Sequence, residues 1–245
     1  MWWLARGEHA LPTGVDWLTP REAQRLAGLR FPKRRVEYLL RRLVTKHAVA
    51  AVTKLPADPA HLARIEVANA PSGAPYLLVD GRAVELDVSL SDRAGWAVCV
   101  VGSGTFGCDL ELVEPRTDGF MRDFLTPGEQ DYVTGQPDPD ARHAAANLIW
   151  SAKESALKVL RTGLRRDTRS VEATVHSGPS GKWAALTIRT REGYVFPGWW
   201  RRDGQFLLTV AGTGPAPPPV ALEEEAVLAA AVPVHSWLGQ PPSGA

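Results

Sequence analysis

The sequence predicts an α+β fold built from two similar halves, each with helices packed on a mainly antiparallel sheet. Three observations carry this expectation. A stretch of helical periodicity followed by strand-like runs occurs once before residue 106 and again after it. The phrase Leu-Thr-Pro-x-Glu opens a helical stretch in both places, at residues 18–22 and 125–129. The 245-residue chain is 44% hydrophobic and 22% charged, which suits one large globular domain or two of ordinary size. The expected units are 1–106, 107–213 and a Pro/Ala-rich C-terminal extension, 214–245.

The elements follow in order. After a short strand-like start, Thr19 can cap a helix, Pro20 suits its first position and Glu22 completes a capping box, so a helix is expected to about Gly28. A longer one should follow Pro32 over 33–53, where Val36, Leu39, Leu40, Leu43 and Val44 recur at helical spacing. Strands are expected at 65–67, 75–79, 84–90 and 95–101, with Asp80-Gly81 and Gly102-Ser103-Gly104 as turns. The strand carrying Asp109 comes next. A short helix near 118–124, the second capping phrase, and a long helix from about 140 to 162 stopped by Gly163 begin the second half. Strands at 171–176, 183–190, 194–200 and 206–210 complete it. From Gly214 the composition turns to Pro and Ala. One short helix over 222–231 and disorder in the last residues are expected of an appendage outside the core.

Composition excludes several classes of function. A net charge of +1 does not make an electrostatic nucleic-acid binder of the whole chain. No apolar run reaches the length of a membrane span. The start, Met1-Trp2-Trp3-Leu4-Ala5-Arg6, lacks the basic-then-apolar order of a signal peptide. Cys99 and Cys108 lie in strand-like apolar contexts and read as buried free thiols in a reducing compartment. A cytoplasmic protein with no nucleic-acid or membrane partner is expected.

Two stretches carry the chemistry. In Gly107-Cys108-Asp109-Leu110-Glu111, strand alternation points Asp109 and Glu111 to one face and Cys108, Leu110 and Leu112 to the other. In Trp150-Ser151-Ala152-Lys153-Glu154-Ser155-Ala156-Leu157-Lys158, Glu154 and Lys158 sit one helical turn apart. Three carboxylates and a lysine that converge would seat a hard divalent cation and a phosphorylated ligand. The plain alternative is a half-exposed strand edge and an ordinary ion pair. The helix over 33–53 carries Lys33, Arg34, Arg35, Arg41, Arg42 and Lys46 against Glu37, either a solvated face or a clamp for several phosphates. Ser89-Leu90-Ser91 at a strand end could bind an anion. No Ser/His/Asp or Cys/His spacing and no GxxxxGK[ST] loop is present.

Together these pieces resemble the larger, pseudo-dimeric 4′-phosphopantetheinyl transferases, whose motifs run Gly-x-Asp-x-Glu and Trp-(Ser/Thr)-x-Lys-Glu-x-x-x-Lys. Residues 32–46 look like that family's basic N-terminal helix, and Gly73-Ala74-Pro75-Tyr76 and Ser89-Leu90-Ser91-Asp92 fall where its two smaller motifs should. The resemblance spans about residues 30 to 165. It implies transfer of the phosphopantetheine arm of coenzyme A to a serine hydroxyl of an apo acyl or peptidyl carrier protein, with release of 3′,5′-ADP. It assigns Mg2+, which Mn2+ can replace, to Asp109, Glu111 and Glu154. Glu154 would also help deprotonate the serine, directly or through a water. Lys158 would neutralise the pyrophosphate and could protonate the leaving group. Lys33, Arg34, Arg35, Arg42 and Lys46 become candidates for the coenzyme A phosphates, and Ser91 and Asp92 lie beside the nucleotide. Glu129 falls where some members place a further carboxylate.

Two positions depart from the family pattern. Asp92 stands where histidine is common, and Ala74 where lysine is common, so positive charge is lost on the phosphate side. Arg161, Arg165, Arg166 and Arg169 form a second basic group, suited to docking an acidic carrier protein or simply solvated. A monomer is expected, since a duplicated chain can satisfy its interface internally. The other readings are a catalytically weak relative that binds coenzyme A or a carrier, and a metal-dependent nucleotide hydrolase.

Overall fold

The computed structural model describes residues 1–178, 181–223 and 227–234. Strand β1, Trp2–Gly7, precedes helices α1, Pro20–Ala27, α2, Pro32–Thr53, and α3, Pro59–Leu62. Then come β2, Ile65–Asn69, β3, Pro75–Val79, the two-residue β4, Arg82–Ala83, β5, Asp87–Arg93, β6, Trp96–Gly102, and β7, Phe106–Leu112. The second half adds α4, Asp118–Phe124, α5, Pro127–Thr134, α6, Pro139–Val159, β8, Val171–Val175, β9, Ala184–Thr190, β10, Val195–Asp203, and β11, Phe206–Gly212, and β12, Val220–Ala221, follows. The fold is α+β, and nearly every strand pairing is antiparallel.

The strands run β12-β1-β6-β5 in one sheet, β7-β11-β10-β9-β8 in a second and β2-β3-β4 in a third. Helix α2 lies on β1 and β6, and α6 lies on β7 and β11. Beneath α2 sits one apolar core, with Leu40, Leu43, Val44 and Val49 against Ile65, Leu77 and Cys99. Beneath α6 sits another, with Ile149, Ala152, Ala156 and Leu157 against Leu186, Ile188 and Ala211. Between them, Trp3, Val98 and Val100 meet Cys108, Leu110, Phe206 and Leu208. Strand β7, at the edge of its sheet, lies against β5, at the edge of the other.

Both capping phrases fold as boxes. Thr19 and Thr126 accept from the backbone N–H of Glu22 and Glu129, whose carboxylates accept from the threonine N–H groups. Each glutamate then reaches a lysine 24 residues later in the sequence. Glu22 pairs with Lys46 at 2.6 Å and also accepts from Val67 N–H. Glu129 pairs with Lys153 at 2.6 Å and accepts from Ala173 N–H. Both lysines are fully buried and donate to two carbonyls besides, of Trp17 and Leu62 in the first case and of Phe124 and Thr168 in the second. The repeated phrase is thus the visible part of a repeated buried ion pair.

Three expectations are corrected. Helix α6 ends at Val159, short of Gly163, because Arg161 takes the left-handed conformation at φ 56°. Arg161 and Thr162 N–H groups then close on the carbonyls of Lys158 and Leu157, a Schellman ending without glycine. The strand expected over 84–90 begins at Asp87, after the separate hairpin strand β4. The described part of the C-terminal extension, 214–223 and 227–234, is no appendage. Val220–Ala221 pairs in parallel with Trp2 and Trp3, Leu228 is fully buried, and Trp96 Nε1 donates to Val232 O. The helix expected over 222–231 falls partly on 224–226, and the disorder expected at the end falls on 235–245, outside the described residues.

Candidate active site

The site forms where β5, β7 and α6 meet. Alternation along β7 does what the pattern required: Cys108, Leu110 and Leu112 enter the central core, leaving Asp109 and Glu111 for the opposite face. Helix α6 can approach that face because residue 107 is glycine. A Cβ there would collide with the Ser155 carbonyl oxygen and lie 2.8 Å from Lys158 Cβ. Ser151 and Ser155 fasten the helix, both meeting the Thr209 hydroxyl, at 2.9 and 2.7 Å, with Ser151 Oγ donating to Asp109 O at 3.3 Å. Replacing Gly107 by Ala should therefore push α6 off β7, costing about 1–3 kcal/mol of stability and most of the activity. A chemical denaturation midpoint equal to wild type would remove this account of the glycine.

Asp109 is the centre of the cluster. Its Oδ1 accepts from Ser91 Oγ at 2.8 Å and from Lys158 Nζ at 2.9 Å, while Oδ2 is buried without a hydrogen-bond partner. Lys158 also donates to Cys108 O at 2.7 Å and Leu90 O at 3.3 Å. Burial alone would lower the Lys158 pKa, but the attraction and hydrogen bond of Asp109, together with the attraction of Cys108 and Glu154, hold the ammonium above its usual value. Glu154 Oε1 is likewise buried and unpartnered. Burial, then repulsion from Asp109, pushes the Glu154 carboxyl up to about 7. The same two causes push Glu111 up to about 7. Glu111 is more heavily bonded, taking Trp150 Nε1 at 2.9 Å on Oε1, and Arg93 at 3.3 Å and Arg116 at 3.2 Å on Oε2.

Two buried, unpartnered carboxylate oxygens beside mutual repulsion are what a hard cation relieves, and the oxygen donor set suits Mg2+. Among the described residues, however, no three His, Cys, Asp or Glu side chains are arranged to close on one ion. Asp109 and Glu154 each keep an unpartnered oxygen that could accept such an ion, whereas Glu111 is bonded to its arginines. Carboxyls raised in the folded protein hold protons that the unfolded chain has already lost, so stability falls as pH rises from about 4.5 through about 7. In chelator, the melting temperature should drop by several degrees between pH 5.5 and pH 8, and by less in Glu154→Gln. An equal drop in that variant would show that Glu154 is not the titrating group.

Beside the carboxylates a cavity of about 450 Å3 opens, with Lys158 on the shared wall. Arg25, Arg41, Arg42 and Arg161 add four more cations against one carboxylate, Asp87. Arg42 stacks on Tyr38 at 4.4 Å, and Ser72, Gly73, Ala74, Ser89 and Leu90 also line the cavity.

Of the residues expected at the phosphates, Arg42 and Lys158 line this cavity and the others do not. Lys46 is sealed beneath α1 in its pair with Glu22. Arg35 donates to the carbonyls of Leu26 and Leu29 at the end of α1, and exposed Arg34 lies near Glu37. Lys33 lines a separate small hollow with Asp92 and Arg93. Ser91 faces Asp109 instead of the cavity, and Asp92 forms an ion pair with Arg41, so its negative charge is matched by the basic helix. Glu129 is committed to Lys153 and the α5 cap, away from the cluster. In the second basic group, Arg161 is on the cavity wall, Arg165 is exposed, Arg166 pairs with Glu192 and Arg169 with Asp167.

The reading of the sequence named Arg41 in the basic helix without carrying it to the nucleotide, quoted Trp150 without a role, gave Arg93 no place at Glu111, and missed Arg25 and Arg116. Arg41 had a signal: it shares a helix face with Tyr38 and Arg42, at i+3 and i+4. Arg25 had none, because only the packing of α1 across α2 brings it to the cavity.

Residues 105–206 match the family model of the 4′-phosphopantetheinyl transferase superfamily. Over 80 residues the chain is 30% identical to a 4′-phosphopantetheinyl transferase of Bacillus subtilis, a match spanning 33% of this chain and 35% of that protein. No helix among the described residues is long and apolar enough to cross a membrane. Both signature stretches lie inside the matched segment, and their side chains meet at one cleft. The segment that carries the site is therefore similar to the 4′-phosphopantetheinyl transferase superfamily.

Proposed function

We propose that the chain transfers 4′-phosphopantetheine from coenzyme A to a serine hydroxyl of an apo acyl or peptidyl carrier protein, releasing 3′,5′-ADP. The observation that supports it best is the adjacency of two unlike sites. A cavity with five cationic side chains suits a nucleotide bearing several phosphates, and it shares Lys158 with a cluster of desolvated carboxylates. One half supplies Arg25, Arg41, Arg42 and Ser91, and the other supplies Asp109, Glu154 and Lys158, so units 1–106 and 107–213 would form one cleft as a monomer.

Asp109 and Glu154, with Glu111 if it leaves its arginines, would hold Mg2+. Bound there, the ion would supply charge neutralisation at the pyrophosphate, a large part of the catalysis of phosphoryl transfer. The cavity cations bind and orient the nucleotide. Lys158, kept protonated by Asp109, is set to neutralise charge on the leaving 3′,5′-ADP. Glu154 would accept the serine proton, directly or through one water, as the serine Oγ–P bond forms and the P–O bond to 3′,5′-ADP breaks. The losses at positions 74 and 92 leave coenzyme A binding supported, because Arg25, Arg41 and Arg161 reach the cavity and Arg41 neutralises Asp92.

The test is incubation with coenzyme A, Mg2+ and an apo carrier protein, followed by mass spectrometry of the carrier. A phosphopantetheine mass increase, lost in chelator, is expected. Free phosphopantetheine without modified carrier would indicate a nucleotide hydrolase, and no turnover of either kind a binding protein.

A further inference from the structure

Behind Glu111 lies a charge network that the proposed reaction does not use. Arg93, at the end of β5, reaches Glu111 Oε2 at 3.3 Å and also bonds Glu114 Oε1. Arg116 does the same, at 3.2 Å from Glu111 Oε2 and 3.5 Å from Glu114 Oε1. Each guanidinium therefore touches two carboxylates at once, and both carboxylates are buried. Arg116 is held in place. Its Nε donates to Asn147 Oδ1 at 2.6 Å and its plane lies 4.6 Å from the Phe120 ring. Asn147 is fixed in turn by donating to Glu114 O and His143 O. Glu114 keeps one oxygen in reserve, because Oε2 is buried with no hydrogen-bond partner. A hollow of about 80 Å3 lined by Arg93 and Glu114 leaves the pair room to rearrange.

We infer that Glu114 is a positioning residue for the metal site, taking over Arg93 and Arg116 when Glu111 turns to the cation. Before the ion arrives, the two arginines stand in for it at Glu111. A divalent ion beside Asp109 and Glu154 competes for the Glu111 carboxylate, and releasing that carboxylate would strand two half-buried cations if nothing received them. Glu114 is already in contact with both, so the exchange needs side-chain movement only, and its spare Oε2 supplies the bonds that Glu111 gives up. The arrangement opposes metal binding less than arginines committed to Glu111 alone, and it keeps Glu111 neutralised in the metal-free protein.

This rests on the proposed metal-dependent reading of the site, so the experiment uses Mn2+ binding to the protein alone, without coenzyme A or carrier. Free Mn2+ is followed by electron paramagnetic resonance at pH 8 in wild type, Glu114→Gln, Arg116→Gln and the double variant. Outer partners of metal ligands typically change affinity by about 10–100-fold. Glu114→Gln should weaken Mn2+ binding about tenfold, and Arg116→Gln should tighten it. In the Arg116→Gln background the effect of Glu114→Gln should shrink to about threefold or less, because less charge is left to receive. An undiminished tenfold effect there would mean that Glu114 acts only through its charge. Weakening by both single variants would mean that the network is only structural, and either result overturns the inference. Wild type that binds no Mn2+ would overturn both the inference and the metal-dependent reading. Near-UV circular dichroism identifies a variant that has not folded, and Arg93→Gln then replaces Arg116→Gln in the cycle.

Discussion

Asp109→Ala should abolish transfer to a carrier protein and leave the fold intact. The expected loss is about 10^3-fold or more in turnover, corresponding to roughly 4 kcal/mol of transition-state stabilisation from a neutralised pyrophosphate. Stability should hardly change, for a reason visible in the cluster. Asp109 contributes two hydrogen bonds, from Ser91 and Lys158, but buries one oxygen unpartnered and raises both Glu111 and Glu154. Removing it loses the bonds and relieves the repulsion, and Lys158 keeps the carbonyls of Cys108 and Leu90. The Glu154 titration should also move down toward an ordinary carboxyl value. Near-normal transfer by Asp109→Ala in Mg2+ would remove this carboxylate from the chemistry. A collapse of the melting temperature would instead make it structural.

That contrast between function and stability runs through the molecule, and it explains what could be read in advance. Features fixed by neighbours in sequence were legible. The boxes at Thr19–Glu22 and Thr126–Glu129, the two-residue turn at Asp80-Gly81 with both residues at positive φ, and the alternation along β7 all follow from local geometry. Features fixed by distant packing were not. The composition of residues 214–234 looked like an appendage because nothing local reveals a parallel pairing with β1, at the other end of the chain. Among the basic residues of α2, charge alone could not tell which were covered. Arg41 and Arg42 face the cavity, while Lys46, one turn beyond Arg42, lies beneath α1. The signature Lys153 shows the same limit, being a member of the buried pair with Glu129 beside the catalytic Glu154 proposed here.

Lys46→Met should cost about 3–5 kcal/mol of stability while leaving the KM for coenzyme A of the folded enzyme unchanged. Lys46 is fully buried, and its ammonium is satisfied by Glu22 at 2.6 Å, Trp17 O at 2.9 Å and Leu62 O at 3.1 Å. Burial lowers its pKa, and Glu22 opposes that shift. Taking the lysine away leaves a buried carboxylate and two carbonyls that no water reaches, which is the costly half of breaking such a pair. Glu22→Gln with Lys46→Met should recover part of the loss but not all of it, since the buried carboxylate is gone while Arg42, 3.7 Å from Glu22, loses its partner. Lys153→Met should behave alike, because Glu129, Phe124 O and Thr168 O reproduce the same surroundings. Urea unfolding and coenzyme A titration of the same samples separate the possibilities. A Lys46→Met protein with wild-type stability and a raised KM would return this lysine to the phosphate site. A Glu129→Gln protein that kept its stability but lost its response to Mg2+ would return Glu129 to the metal. With each pair enclosed between a capping box and a strand, the stability losses should appear and the substrate effects should not.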